Sequence, residues 1–367
     1  MNMESKDFLT QQLITYIGNK RKLLRPISDT IKSIQKNIGK DKLIAGDFFA
    51  GSGIVSRLLK SYSSLVVSND IEQYTSVINS CFLTNAVDVD FRLLKEICTE
   101  YNLKCEKNLM TGGIIRKLYA PCDENNIISG DRVFYTIDNA CRLDTYIPLL
   151  DSLECKIRTM LLGPLLSQAS VHTNTCGVFK GFYKDTLTKI GKYGGQGEHA
   201  LSRIKGKILL DLPILSNFET ESIVHKFDAQ ICAELPQEYD VVYLDPPYNQ
   251  HPYGSNYFML NLLVDYREPT NLSKVSGIPT NWQRSCYYKK NESKKVLDKL
   301  VETIKSKYIL ISFNNEGFIS ESEMNNILKK YGTLEIITNT YNTFRGSRNL
   351  INRNNKVQEN LFVLKKF

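Results

Sequence analysis

The chain of 367 residues is 42% hydrophobic and 23% charged, with 47 basic against 39 acidic side chains and a formal net charge of +8. That is the composition of an ordinary globular protein, long enough for a full α/β core plus one further module. No apolar run could span a bilayer, MNMESKDFLTQQ lacks a secretory h-region, and nine cysteines without CxxC pairs argue against a disulfide framework and for reduced thiols in a cytosol.

Leu13–Leu24 reads first, as a short extended piece and a turn at Gly18-Asn19. A helix then runs from about Lys20 toward Gln35, with Ile27, Ile31, Ile34 and Ile38 as its apolar stripe. Gly18 and the first N–H groups of that helix make a corner suited to a carboxylate, with Lys20 supplying charge. Leu43–Val55 follows as an apolar strand, a glycine-rich turn at Phe49-Ala50-Gly51-Ser52-Gly53, and a helix from about Ile54. Gly51 and Gly53 allow a ligand close to the backbone. The next strand, Ser64 to Asp70, ends in an acid where a nucleoside-binding βαβ unit places its ribose-gripping carboxylate. Capping of the following helix is the alternative role for Asp70.

From about 86 to 220 the strand–helix alternation is lost, and this stretch is expected to be an inserted domain. Its cysteines Cys122, Cys141, Cys155 and Cys176, with His172, match no metal-ligand spacing and are expected to be core thiols; no metal is expected. From Ser170 to Lys207 there are seven Lys/Arg against two acids. Within it, Asn174–Lys184 interleaves aromatics with Lys180 and Lys184, a composition suited to phosphates and base edges. The core resumes with a strand at Ser222–Phe227, ended by Asp228, which could accept from the amino group of a cofactor adenine.

Asp240–Asp245 is a short apolar strand that passes into Pro246-Pro247-Tyr248. Two prolines cannot continue a sheet ladder, so Asp245 and Tyr248 fall at a carboxyl end of the sheet, where open α/β folds bind ligands. The tetrad suits methylation of the exocyclic amine of a base. That nitrogen is a poor nucleophile because its lone pair is delocalised into the ring. Acceptors on its two N–H groups, the Asp245 carboxylate and the Pro246 carbonyl, localise the lone pair. Pro247 stiffens the backbone, and Tyr248 offers a face for stacking. The bland alternative is a strand-ending turn.

A helix around Lys294–Lys305, a strand at Tyr308–Phe313 and a loop at Asn314–Gly317 follow, and Ser320 with Glu323 forms a capping box for the next helix. Two closing strands, about Thr333–Thr343 and Val357–Lys366, flank a basic loop with Arg345, Arg348, Asn349 and Arg353. As a hairpin, this loop would project from the sheet end that bears Asp245.

Tyr16-Ile-Gly-Asn-Lys20, Phe49-Ala-Gly-Ser-Gly53, Asp70, Asp228 and Asp245-Pro-Pro-Tyr248, in this order, resemble the D12 class of DNA adenine-N6 methyltransferases, the Dam-like or alpha group. Asp245–Tyr257 and the tail TFRGSRNL look most like the methylases of restriction-modification systems. The chain departs from the group at Asn19, where a glycine is usual.

The resemblance implies a Rossmann-like α/β sheet, mostly parallel with a C-terminal antiparallel hairpin, formed by 1–85 and 221–367. The insert at 86–220 would recognise the target. S-adenosylmethionine would lie along Tyr16, Ile17, Gly18, Lys20, Asp47, Phe49, Gly51, Gly53, Asp70, Ile71, Asp228, Ala229 and Asp245. An adenine flipped from double-stranded DNA would meet Asp245, Pro246, Pro247 and Tyr248. Lys180, Lys184, Arg345, Arg348, Asn349 and Arg353 would contact the duplex. A cytoplasmic monomer is expected, and a restriction endonuclease acting on the same site is the implied partner. Two other readings stay open: the same fold acting on cytosine or an RNA base, and a DNA-binding subunit without turnover.

Overall fold

A computed structural model describes residues 4–250, 252–315, 317–342 and 356–367. Seven strands form one sheet in the order β3-β2-β1-β4-β5-β7-β6. They are β1 (Leu43–Asp47), β2 (Ser63–Asn69), β3 (Glu221–His225), β4 (Tyr239–Leu244), β5 (Ser306–Asn314), β6 (Gly332–Asn342) and β7 (Lys356–Lys366). The first five pair in parallel. β7 runs antiparallel between β5 and β6, so the sheet is mostly parallel with an antiparallel C-terminal end, as the sequence predicts.

Parallel sheets need cover on both faces, and the central strands are apolar throughout for that reason. All six residues of β4 are buried. Successive side chains leave a strand on opposite faces, so Val241 and Tyr243 join one core while Val242 and Leu244 join another. The first face is covered by α2 (Leu24–Ile38) and α3 (Ile54–Lys60), the second by α10 (Ala229–Glu234), α13 (Lys290–Thr303) and α14 (Glu321–Leu328). The stripe predicted for α2 is used as expected, with Ile27, Ile31 and Ile34 buried. Its start differs: Lys20–Leu23 is a 3-10 turn capped by the Asn19 side chain, which accepts from the Arg21 N–H. The capping box of Ser320 and Glu323 at α14 is present in both directions.

Between 86 and 220 no strand occurs among the described residues. The stretch holds α5 (Phe91–Lys107), α6 (Ile114–Tyr119), α7 (Ile137–Asp151), α8 (Cys155–Val171) and α9 (Leu201–Lys205). They form a third core with α4 (Gln73–Phe82), α11 (Tyr253–Asn256) and α12 (Phe258–Asp265), the elements that follow β2 and the DPPY turn. The helical layer is therefore packed onto the segments that frame the sheet's ligand edge. One expectation is corrected here. Cys141 is buried, but Cys122, Cys155 and Cys176 are exposed and are not core thiols. The ring nitrogen Nδ1 of His172 lies 2.6 Å from the Arg203 carbonyl. No helix among the described residues is long and apolar enough to cross a membrane.

Candidate active site

From β1 the chain steps outward to β2 and β3, and from β4 it steps the other way to β5. The crevice between the carboxyl ends of β1 and β4 is thus the topological switch point, where doubly wound sheets take their ligands. Gly51 (φ +50°) and Gly53 (φ +75°) shape the turn after β1. A Cβ on Gly51 would stand 2.6 Å from the Tyr16 ring, so only glycine fits there. The Gly51 N–H donates to Asp70 Oδ2 at 2.8 Å, and the Glu72 N–H donates to Asp70 Oδ1 at 2.9 Å. Asp70 does not cap α4 itself, whose N-cap residue is Glu72. Its carboxylate instead ties the glycine turn to the segment after β2.

The Tyr16–Lys20 motif and the block after the DPPY turn are built as one unit. The Tyr16 ring stacks on Tyr253 and on Tyr257, with centroids 5.1 and 4.9 Å apart. The Ile17 N–H donates to the Tyr257 hydroxyl at 2.8 Å, and the Tyr253 hydroxyl donates to the Ile17 carbonyl at 3.0 Å. At Gly18 (φ +75°) the backbone passes close to the hydroxyls of Tyr253 and Tyr248. Lys20 is 3% exposed and points into the sheet end. Its ammonium lies 2.7 Å from the Gly18 carbonyl, 2.7 Å from Asp245 Oδ2 and 3.2 Å from Glu359 Oε1. The Gly18 carbonyl accepts from the ammonium, and the two carboxylates flank it as ion-pair partners. The charge expected to face a cofactor carboxylate faces the DPPY aspartate instead.

Asp245 lies just past the end of β4. Its Oδ1 is buried and has no hydrogen-bond partner among the described residues. Burial pushes its carboxyl up to about 6; Lys20 pulls the other way, and Glu359 adds to the rise. For Lys20, burial works against the charge, but Asp245 and Glu359 outweigh it and hold the proton firmly. One cation shared by two carboxylates keeps its own proton without fully neutralising either of them. Burial also raises Asp47 to about 7, with Ser56 opposing and Asp245 and Asp70 adding. It raises Glu72 to about 7, and it raises Asp70. Asp47 Oδ1 and Glu72 Oε1, like Asp245 Oδ1, are buried acceptors without a donor among the described residues.

A cleft gathers Asp70, Glu72 and Asp245; Phe49, Ile71, Asp228, Ala229 and Pro247 are among its other lining residues. Tyr16 also lines it and bounds the glycine turn from the other side. Asp228 caps α10 by accepting from the Gln230 N–H at 2.9 Å. Pro246 is buried beneath the turn. Tyr248 meets Phe313 edge-on at 5.5 Å, and its carbonyl accepts from the Phe318 N–H, so the loop after β5 braces the turn. Further lining comes from Tyr253, in the block after the DPPY turn, and from residues that carry no motif in the sequence: Glu72, Ser285, Tyr287 and Tyr288. Glu359, beside Lys20, is another. Its one legible signal is that it is the single acid of the closing strand.

The basic segment of the helical layer reaches this site through the backbone. The Phe179 N–H donates to the carbonyl of Asn256 in α11 at 2.7 Å. Lys180 is exposed one residue further on, and Lys184 lies over the Phe182 ring at 5.0 Å. Arg345, Arg348, Asn349 and Arg353 lie outside the described residues.

The family profile of D12 class N6 adenine-specific DNA methyltransferases matches residues 16–327. The chain is 28% identical over 360 residues to the type II methyltransferase M.CviAII of Paramecium bursaria Chlorella virus 1, covering 96% of this chain and 98% of that protein. It is 26% identical over 372 aligned positions to the type II methyltransferase M.NlaIII of Neisseria lactamica, covering 96% and 99%. Among solved structures, magnesium protoporphyrin IX methyltransferase from Synechocystis PCC 6803 with bound SAM aligns at a TM-score of 0.33 and 9% identity. That alignment covers 96% of this chain and 86% of that one.

Proposed function

We propose, for a chain that belongs to the D12 class of N6 adenine-specific DNA methyltransferases, that it is the modification methylase of a restriction-modification system and methylates a flipped-out adenine at a specific site in double-stranded DNA. The observation that carries the reading is Asp245. It is a carboxylate held by Lys20 through one oxygen, with the other oxygen buried, without a hydrogen-bond partner among the described residues, and beside the cleft that Asp70 and Asp228 also line.

The cleft suits S-adenosylmethionine, a ligand rich in donors and positive charge. Its wall presents buried acceptors, on Asp245 and Glu72, that have no donor among the described residues. Asp70 would hold the ribose, Asp228 and Ala229 the adenine side, and Tyr16, Ile17, Gly18, Phe49, Gly51 and Gly53 the remainder, with Ile71 and Asp47 nearby. Bound there, S-adenosylmethionine supplies an electrophilic methyl group.

The chain's own residues then prepare the nucleophile. Asp245 Oδ1 accepts one N–H of the target amine and the Pro246 carbonyl accepts the other, drawing the nitrogen toward tetrahedral geometry. Pro247 fixes the aim of that carbonyl, and Tyr248 takes the base on its ring face. No strong base is needed, because the proton leaves after the methyl group arrives. The work is positioning and electrostatics in a partly dry site.

We assign target reading to the helical layer at 86–220, led by Lys180 and Lys184, with Arg345, Arg348, Asn349 and Arg353 as further duplex contacts. The backbone bond from Phe179 to Asn256 supports that assignment, because it anchors the basic segment directly to the helix after the DPPY turn. A cytoplasmic monomer acting beside an endonuclease of the same specificity completes the proposal; the type II methyltransferase names of the relatives M.CviAII and M.NlaIII support its restriction-modification part alone.

The test is transfer from methyl-labelled S-adenosylmethionine to duplex DNA, to RNA and to protein. Label recovered as N6-methyladenine in DNA, and lost in Asp245→Ala with DNA binding retained, is the expected result. Label on cytosine or RNA would replace the substrate, and no transfer to any polymer would leave a binding protein.

A further inference from the structure

Glu359 is the one acid of β7, and it is buried in the sheet at 1% exposure. In register it stands opposite Asn314 of β5 and Asn339 of β6. A carboxylate so placed is costly unless charge and hydrogen bonds compensate it. Its counter-charge is Lys20 at 3.2 Å, the same ammonium that lies 2.7 Å from Asp245. We propose that Glu359 is a positioning residue for methyl transfer: by sharing the Lys20 ammonium, it leaves the Asp245 carboxylate only half-neutralised, and so a strong acceptor for the target amine.

The geometry explains why two carboxylates are kept on one lysine. With Asp245 as its sole anionic partner, the ammonium would draw electron density from the acceptor oxygen and weaken its hold on the amine. With Glu359 pulling from the β7 side at 3.2 Å, and the Gly18 carbonyl holding the ammonium at 2.7 Å, the charge is shared. Other ionisable groups also face Asp245: Asp47 at the end of β1, Tyr243 within β4, Tyr248 in the turn and Tyr253 of α11. None of the tyrosines is charged at neutral pH, and Asp47 is tied to the Ser56 hydroxyl at 2.7 Å. Lys20 and Glu359 are thus the two groups that set the electrostatics of Asp245. A buried ion pair is weak evidence for stability in itself, which makes a purely structural role for Glu359 the alternative to separate.

The inference rests on the reading of Asp245 given above, and its test does not need turnover. In full-length protein labelled with ¹³C at aspartate carboxyls, the Asp245 signal is identified by its loss in Asp245→Asn. Its titration is then followed in wild type, Glu359→Gln and Lys20→Gln. Removing the Glu359 charge should lower the Asp245 midpoint by about one pH unit, and removing Lys20 should raise it. In single-turnover assays on duplex DNA that the wild type methylates, Glu359→Gln should be roughly tenfold slower at pH 8. Its acid limb should move down by the same unit, and its DNA dissociation constant should not change.

Coincident midpoints in wild type and Glu359→Gln overturn the proposal, whatever the rate. If Glu359→Gln fails to fold, Lys20→Gln decides: a midpoint that does not rise removes the coupling. Coupled titration without methylation would instead sink the assigned function and leave the electrostatic link standing.

Discussion

Asp245 offers its two oxygens to different partners, and its behaviour with pH follows from that division. Burial places its carboxyl at about 6, so it is ionised at neutral pH and accepts from the amine. Below that value the proton occupies an acceptor oxygen and the pairing with Lys20 is lost. The single-turnover rate should therefore fall tenfold per unit as pH drops below about 6. A flat rate from pH 5 to 8 would remove Asp245 from the chemistry. Tyr248 is asked only for its ring. Tyr248→Phe should stay within about threefold of wild type. Tyr248→Ala should lose roughly 10- to 100-fold in kcat/KM, the range that base–aromatic stacking of about 1–3 kcal/mol supplies. An equal loss in both variants would mean the hydroxyl is the functional group. Asp245 to Tyr248 could be read from the sequence because strand end, carboxylate and ring are contiguous there. Glu359 could not, because its meaning comes from Lys20 at the opposite end of the chain.

The glycine turn after β1 acts as an element rather than as separate residues. At Gly51 an added Cβ would meet the Tyr16 ring, which packs against both Tyr253 and Tyr257 in a three-ring cluster. At Gly53 it would meet the Asn79 side-chain amide, a smaller group than a ring, though one that is buried and donates to the Thr75 carbonyl at 2.9 Å. Both alanine variants carry the left-handed backbone penalty of roughly 1–2 kcal/mol. Gly51→Ala adds displacement of Tyr16. Binding of S-adenosylhomocysteine, read by calorimetry, should be abolished by Gly51→Ala and weakened about tenfold by Gly53→Ala. The reverse order would mean that the tyrosine stack does not support the cofactor side of the cleft. Such turns, the apolar parallel strands and the capping box at Ser320 are legible because a few neighbouring residues determine each of them. The helices from 91 to 171 are not. In α8 the buried set runs nearly unbroken from Met160 to Leu166 and includes Gly163 and Pro164, so no stripe of helical period survives to be read.

At the scale of the whole molecule, the switch point concentrates carboxyls that folding has made harder to ionise. Asp47 and Glu72 are raised to about 7 and Asp245 to about 6, each chiefly by burial. In the unfolded chain these groups titrate near 4. Between about pH 4 and 7 the folded state binds more protons than the unfolded one, so the stability they contribute is complete at low pH and lost as pH rises through 7. His225, lowered by burial, works in the opposite sense, but it is one group against three. The thermal midpoint of the ligand-free protein should therefore be higher at pH 5 than at pH 8, by roughly 1–3 °C if a kcal/mol or two is at stake in a chain of this size. Asp47→Asn should remove part of that slope by raising the midpoint at pH 8, because the amide keeps an acceptor for Ser56 and has no charge to bury. A midpoint that climbs from pH 5 to pH 8, or a slope untouched by Asp47→Asn, would show that the carboxyls ionise freely in the folded protein. The cleft would then lack the electrostatic tension that makes its acceptors ready for a cationic, donor-rich ligand. The same tension accounts for the position of the site: a sheet edge that leaves Asp47, Glu72 and Asp245 each with a buried oxygen unpartnered among the described residues is less stable than it could be, and a ligand that satisfies those oxygens recovers the difference on binding.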